Sequence, residues 1–258
     1  MGKLLRFEFR KLFQNKVFYI CIAISIALFA ITTATNVVLQ QTLKQVAEDT
    51  GTYLPDASFT AVDLLKGFFG SSNASIITAI LVVILVSGDY TNDITKNIYS
   101  KGYSRESLFI AKYIVSLIAV LILILAGMLI SFFTGAVILD GIGDMGKNYA
   151  LSIVCIIIIA IAYHSFYFGI SLLLKKTGGS IAICIIGPTL IYLLLLMADT
   201  FLKIDNFSFA NYWLDARISQ LSATDVENET IIGSLITSAV IIIPMALVPF
   251  FINRKRDN

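Results

Sequence analysis

Six stretches of this chain run without a single Lys, Arg, Asp or Glu: residues 17–43, 67–88, 113–139, 148–174, 177–198 and 230–253. Each is at least as long as the ~20 residues that an α-helix needs to cross ~30 Å of hydrocarbon. A membrane strand would need only ~9–11 residues, alternating apolar and polar, whereas the run from Ile153 to Ala162 is apolar throughout. The pattern therefore predicts helices. It describes one all-α integral membrane domain over residues 1–258, with six transmembrane helices at about those positions.

Ahead of the first stretch, residues 1–16 have a different period. Leu5, Phe9, Leu12 and Phe13 share one helical face, and Lys3, Arg6 and Arg10 lie on an adjoining one, as in an amphipathic helix. Such a helix lies in the membrane interface with its basic side toward anionic headgroups, which makes membrane lipids a partner; the alternative is a plain topology signal. The apolar run behind it exceeds the ~7–15 residues of a signal h-region, so this segment is expected to stay in the mature protein. Composition agrees with the pattern. The chain is 57% hydrophobic and 14% charged, against about 25% charged residues in soluble domains.

Six crossings put both termini on one side. Segments on that side hold fourteen Lys and Arg residues, including Lys3, Arg6, Lys96, Lys101, Arg105, Lys175 and Arg254, whereas the other side holds five: Lys44, Lys66, Lys147, Lys203 and Arg217. The positive-inside rule then makes the termini cytoplasmic in a multi-pass plasma membrane protein. Asp56, Asp140, Asp225 and most other acids fall on the outer side, so a net charge of +2 conceals the asymmetry.

The stretch Ser87–Lys112 is the one sizeable inner connection, since the other, Lys175–Ser180, is a tight turn. Asp89 and Tyr90 close the second transmembrane helix; Ile94, Ile98 and Tyr99 follow a short amphipathic helical spacing; Gly102 supplies a break. Ser104 stands where an N-cap would start the third helix, with Ser107 at the capping-box position. On the residues alone this is either a docking element or a solvated connector.

Taken together, Asp89-Tyr90, Lys96, Ile98-Tyr99, Gly102-Tyr-Ser-Arg105 and Lys112, with six helices, a leading amphipathic helix and a short basic tail, resemble the permease subunits of ABC-2 type exporters. Within that family the chain is similar to the Gram-positive permeases of lantibiotic and bacitracin systems. Asp89 stands where the family usually has Glu, and Asp93 where it has Gly. The resemblance implies that Ile94 to Arg105 is a coupling helix docking on a separate ATP-hydrolysing subunit, with Asp89, Lys96, Ile98, Tyr99, Gly102, Ser104 and Arg105 as the ATPase-coupling residues. It further implies two ATPase copies, a second permease chain, identical or paralogous, and export of an amphipathic peptide, lipid or drug.

Other chemistry is sparse. No segment fits the phosphate-binding Gly-x-x-x-x-Gly-Lys-Ser/Thr loop, and there is no HExxH and no Ser/His/Asp grouping. No catalytic residue, metal, cofactor or nucleic acid partner is expected. Cys21, Cys155 and Cys184 are isolated in three helices and read as packing residues. His164 is expected as a neutral imidazole bonded to a neighbouring helix, with a proton site as the alternative; Asp199 is expected at the interface. Phe207, Phe209, Tyr212 and Trp213 suit an aromatic belt, and Gly135 and Gly169 close helix approach. Pro188, Pro244 and Pro249 are expected to kink or interrupt their helices. Two other functional readings are an ion-coupled secondary transporter and a membrane sensor or scaffold that binds a toxic peptide. The first calls for charges in mid-helix, and none is present.

Overall fold

The computed structural model describes residues 1–50, 60–70, 72–138, 143, 145–202 and 207–255. Asp56, Asp140 and Lys203, invoked above, lie outside the described residues. Among the described residues there are ten α-helices and one 3-10 turn and no strand: α1 Gly2–Gln14, α2 Lys16–Thr50, α3 Ala61–Gly70, α4 Ser72–Thr91, α5 Ile94–Ser100, α6 Arg105–Ile138, α7 Tyr149–Leu174, α8 Thr177–Leu202, α9 Leu214–Leu221 and α10 Asn228–Lys255. Six of them, α2, α4, α6, α7, α8 and α10, are long and apolar enough to span a membrane.

The helix limits differ from the charge-free stretches for local reasons. α6 starts at Arg105 and not near Tyr113, because the Ser104 hydroxyl accepts the Ser107 amide at 3.2 Å and so caps the helix. Residues 67–70 belong to α3, and α4 opens only at Ser72. Between α1 and α2, Asn15 is extended, and its side-chain oxygen accepts the Val17 amide at 2.9 Å, which turns an interfacial helix into a spanning one. Pro188, Pro244 and Pro249 sit inside continuous helices and interrupt neither.

The buried side of α1 corrects the sequence reading. Leu4, Glu8 and Leu12, spaced by four, face inward, with Leu5 and Phe9 partly covered beside them, while Phe13 is exposed. The reason lies in α6, on which α1 packs: it offers Leu108 to Leu4 and Lys112 to Glu8. Lys3, Arg6 and Arg10 stay exposed, as an interfacial basic face requires.

α7 is the hub. Residues Ala162 to Gly169 are buried without interruption, and their polar groups each reach a different neighbour. Tyr167 meets Ser75 of α4 at 2.5 Å, His164 meets Ser116 of α6 at 2.8 Å, Ser165 meets Tyr113 of α6 at 2.8 Å, and Tyr163 donates to Asp215 of α9 at 2.5 Å. In a medium without water a hydroxyl or imidazole must find its partner in protein. This pairing fixes the rotation of α4, α6 and α9 against α7. α10 lies closest: a Cβ on Gly169 would sit 2.9 Å from the Met245 carbonyl oxygen, which is backbone and cannot swing away. Gly169→Val should therefore part α7 from α10 and destabilise the chain by about 1–3 kcal/mol. Gly178→Ala, with nothing within 4 Å of its Cβ, should be neutral. Melting of the two variants in detergent measures the contrast.

Candidate coupling site

The connection between α4 and α6 is built from two left-handed residues around one short helix. Asp93 at φ 55° precedes α5, and Gly102 at φ 82° follows it. Gly102 closes the helix by donating to the Tyr99 carbonyl at 2.9 Å; a side chain there would have space but the wrong backbone. α5 thus lies between two reversals, at the end of the bundle that also holds α1 and the α7–α8 turn.

α5 presents two unlike sides. Ile98 is buried against Leu4, Leu108 and Ala111, and Thr95 is buried with it. Lys96, Asn97 and Lys101 are exposed, as are Gly102 and Ser104. Tyr99 is half-buried with the Arg105 guanidinium 5.2 Å above its ring, and it also bonds Tyr90. The seven sequence-predicted residues therefore divide. Lys96, Gly102 and Ser104 are at the surface, Tyr99 and Arg105 at its edge, and Asp89 and Ile98 are turned inward. Ile98, expected above among the coupling residues, has its apolar side already covered by α1 and α6.

Beneath α5, Asp89 receives the ammonium groups of Lys11 from α1 and Lys112 from α6, one on each carboxylate oxygen. The shorter acid at this position still reaches both. Asp89 and Lys112 are each 3% exposed, and Glu8 joins from the side, its Oε1 3.9 Å from the Lys112 ammonium and without a hydrogen bond. Glu8, Lys11 and Lys112 line a small cleft together with Leu12, Leu85, Val86, Val115 and Ser116. The charges tie α1, α4 and α6 together directly under the exposed helix. The Lys96–Asp93 pair at 2.8 Å is by contrast fully in solvent on both sides, where such pairs contribute ~0–1 kcal/mol.

Glu8 and Lys11 were not among the residues singled out in the sequence. Glu8 is the first acid in the chain and stands midway between Leu4 and Leu12. An acid on the apolar stripe of a basic helix was the signal available.

The family model described as ABC-2 family transporter protein matches residues 4–195, a span that contains most of α1, all of α5 and the whole charge cluster. The chain belongs to this family. It is the membrane permease subunit of an ABC exporter, a multi-pass plasma membrane component that is not itself catalytic, in a family that works with an ABC ATPase and usually as a dimer. No curated protein and no solved structure matches the chain.

Elsewhere in the permease, His164 is fully enclosed in α7 and shares its Nε2 with Ser116, as expected of a structural imidazole. Asp199, in the last turn of α8, accepts the Ser208 hydroxyl and the Phe209 and Ala210 amides, and so caps the 3-10 turn Ala210–Tyr212. Phe207 packs on Phe209 and Tyr212 at 4.9 and 5.2 Å between ring centres. The three cysteines are buried and free.

Proposed function

We propose that this permease exports an amphipathic substrate, with ATP hydrolysis in a separate subunit that docks on α5. What supports this reading is the pairing of an exposed polar side on α5, with Lys96, Asn97 and Lys101, and a charge cluster that fixes α5's supports to two spanning helices. A solvated connector needs no buried acid between two lysines. A docking element does, because force applied to α5 must move α1, α4 and α6 together.

The working assembly is two permease chains, identical or paralogous, with two ATPase copies. α8 and α2 support the first part, since Ile183, Ile186, Leu190 and Leu194, and Tyr19, Ile24, Ile31 and Val38, are left uncovered by the chain itself. Apolar faces of this kind suit lipid, a second permease and cargo drawn from the bilayer, among which an antimicrobial peptide of the lantibiotic or bacitracin class, a lipid and a hydrophobic drug all qualify. Both termini and α5 are cytoplasmic by the distribution of Lys and Arg.

Co-purification of the tagged permease from its native membrane tests the coupling, and an ATPase subunit at one copy per permease is the expected result. In intact cells, an impermeant maleimide should label a cysteine placed at Asp225 and not one placed at Lys101. Labelling at 101 would reverse the orientation, and an ATPase-free particle that still transports would end the coupling reading.

A further inference from the structure

At the end of the bundle opposite α5, the ammonium of Lys66 is enclosed without an ion pair among the described residues. Lys66 of α3 is 1% exposed. Its ammonium donates to the Ala223 carbonyl at 2.8 Å and stands 4.8 Å from the centre of the Tyr149 ring. The first contact belongs to the turn between α9 and α10, the second to the start of α7. One side chain thus fastens three segments that are remote in sequence.

Two of these segments, the start of α7 and the turn before α10, also meet directly. The Lys147 amide donates to Asp225 Oδ1 at 2.9 Å, the Val226 amide to the Lys147 carbonyl at 3.3 Å, and the Asn148 side chain to the Val226 carbonyl and to Asn228, both at 2.9 Å. At Gly146 a Cβ would fall 2.2 Å from the Thr224 carbonyl oxygen. No larger residue allows the two turns so close.

A buried ammonium is costly, and an apolar side chain would brace the same contact at lower cost. Burial lowers the pKa of Lys66, while Asp63 and Asp225 act to raise it. A carbonyl oxygen and a ring face are partners that a lysine can leave without stranding a buried counter-ion. The ammonium then returns to water, where its charge is best solvated. The Asp89 cluster has the opposite property, since opening it would leave opposite charges unpaired in the interior. The two ends of the chain are built for different tasks, one to stay shut and one to part.

We infer that Lys66 is the pin of a gate at this far end: with Ala223 held the gate is closed, and releasing Ala223 lets the 223–226 turn part from α3 and from the start of α7 so that cargo can leave. This rests on the export reading above. It is tested with Lys147→Cys and Asp225→Cys together in the permease–ATPase complex, the three native cysteines being buried. Disulfide formation under a mild oxidant should be fast without nucleotide and roughly tenfold slower in the complex trapped with ATP and vanadate. Lys66→Met, which keeps length and loses the donor, should slow it in the resting complex as well. Equal cross-linking in both states while the complex hydrolyses ATP would show a fixed brace and overturn the gate alone, as would a Lys66→Met that melts earlier yet cross-links like the parent. A permease that purifies with no ATPase overturns the export reading, and the gate with it.

Discussion

Replacing Asp89 with alanine should destabilise the permease by about 3–5 kcal/mol, the range for removing one partner from a buried charge cluster. The carboxylate is the shared acceptor of Lys11 and Lys112, so its loss leaves two ammonium groups facing each other with only Glu8 nearby. Glu8 is 3.9 Å from Lys112 and cannot serve both. Melting in detergent and the amount of chain in the membrane should both fall sharply. Asp89→Glu keeps the charge and adds one methylene, and should retain most of the stability.

The double variant Asp89→Ala with Lys112→Met gives the sharper test. It removes one charge of each sign and leaves Glu8 and Lys11, three apart on α1, to pair with each other. Coupled neighbours do not add, so the double variant should be more stable than Asp89→Ala alone. If the two losses simply sum, the four charges act independently and the cluster does not hold α1 to the bundle.

The spanning architecture was legible because charge is excluded from hydrocarbon. A break in the charge pattern marks a membrane boundary, and six breaks gave six helices. Lys112 lies outside the charge-free stretch yet stands within α6 with its side chain buried, as the Ser104 N-cap ahead of it required. Only tertiary structure supplies Asp89 as its partner. Ser104 and Gly102 were legible because an N-cap and a left-handed turn are local. The side of α5 that faces inward was not, because Ile98 is apolar whether it meets α1 or an ATPase, and one sequence does not say which surface arrives first. Lys66 was hidden in the same way. Counted only as an outer-side charge, it carries no sign that Ala223 and Tyr149 will enclose it, since those contacts close over more than eighty residues of chain.

The last expectation concerns the exposed side of α5, where folding and docking can be separated. Ile98→Ala removes a side chain packed on Leu4, Leu108 and Ala111 and should cost about 2–5 kcal/mol of stability, loosening α5 from its seat. Lys96→Glu with Lys101→Glu alters residues already in solvent, so the melting temperature should hold. Tyr99 lies between these, half-buried and stacked beneath Arg105. Truncating such an interface anchor removes about 2 kcal/mol of binding or more, roughly thirtyfold in affinity, with a smaller effect on the fold. Lysine reversal should weaken docking against an acidic groove and slow its formation at low salt. The control belongs at Lys147, whose side chain is exposed at the far end, and not at Lys66, which is buried. ATPase retained on the purified permease, and its substrate-stimulated hydrolysis, should fall for Tyr99→Ala and for the double lysine reversal, while the lysine variant melts like the parent and Tyr99→Ala melts only slightly earlier. Should Tyr99→Ala hold and stimulate the ATPase as well as Lys147→Ala does, α5 is a connector, and the charge cluster beneath it serves stability alone.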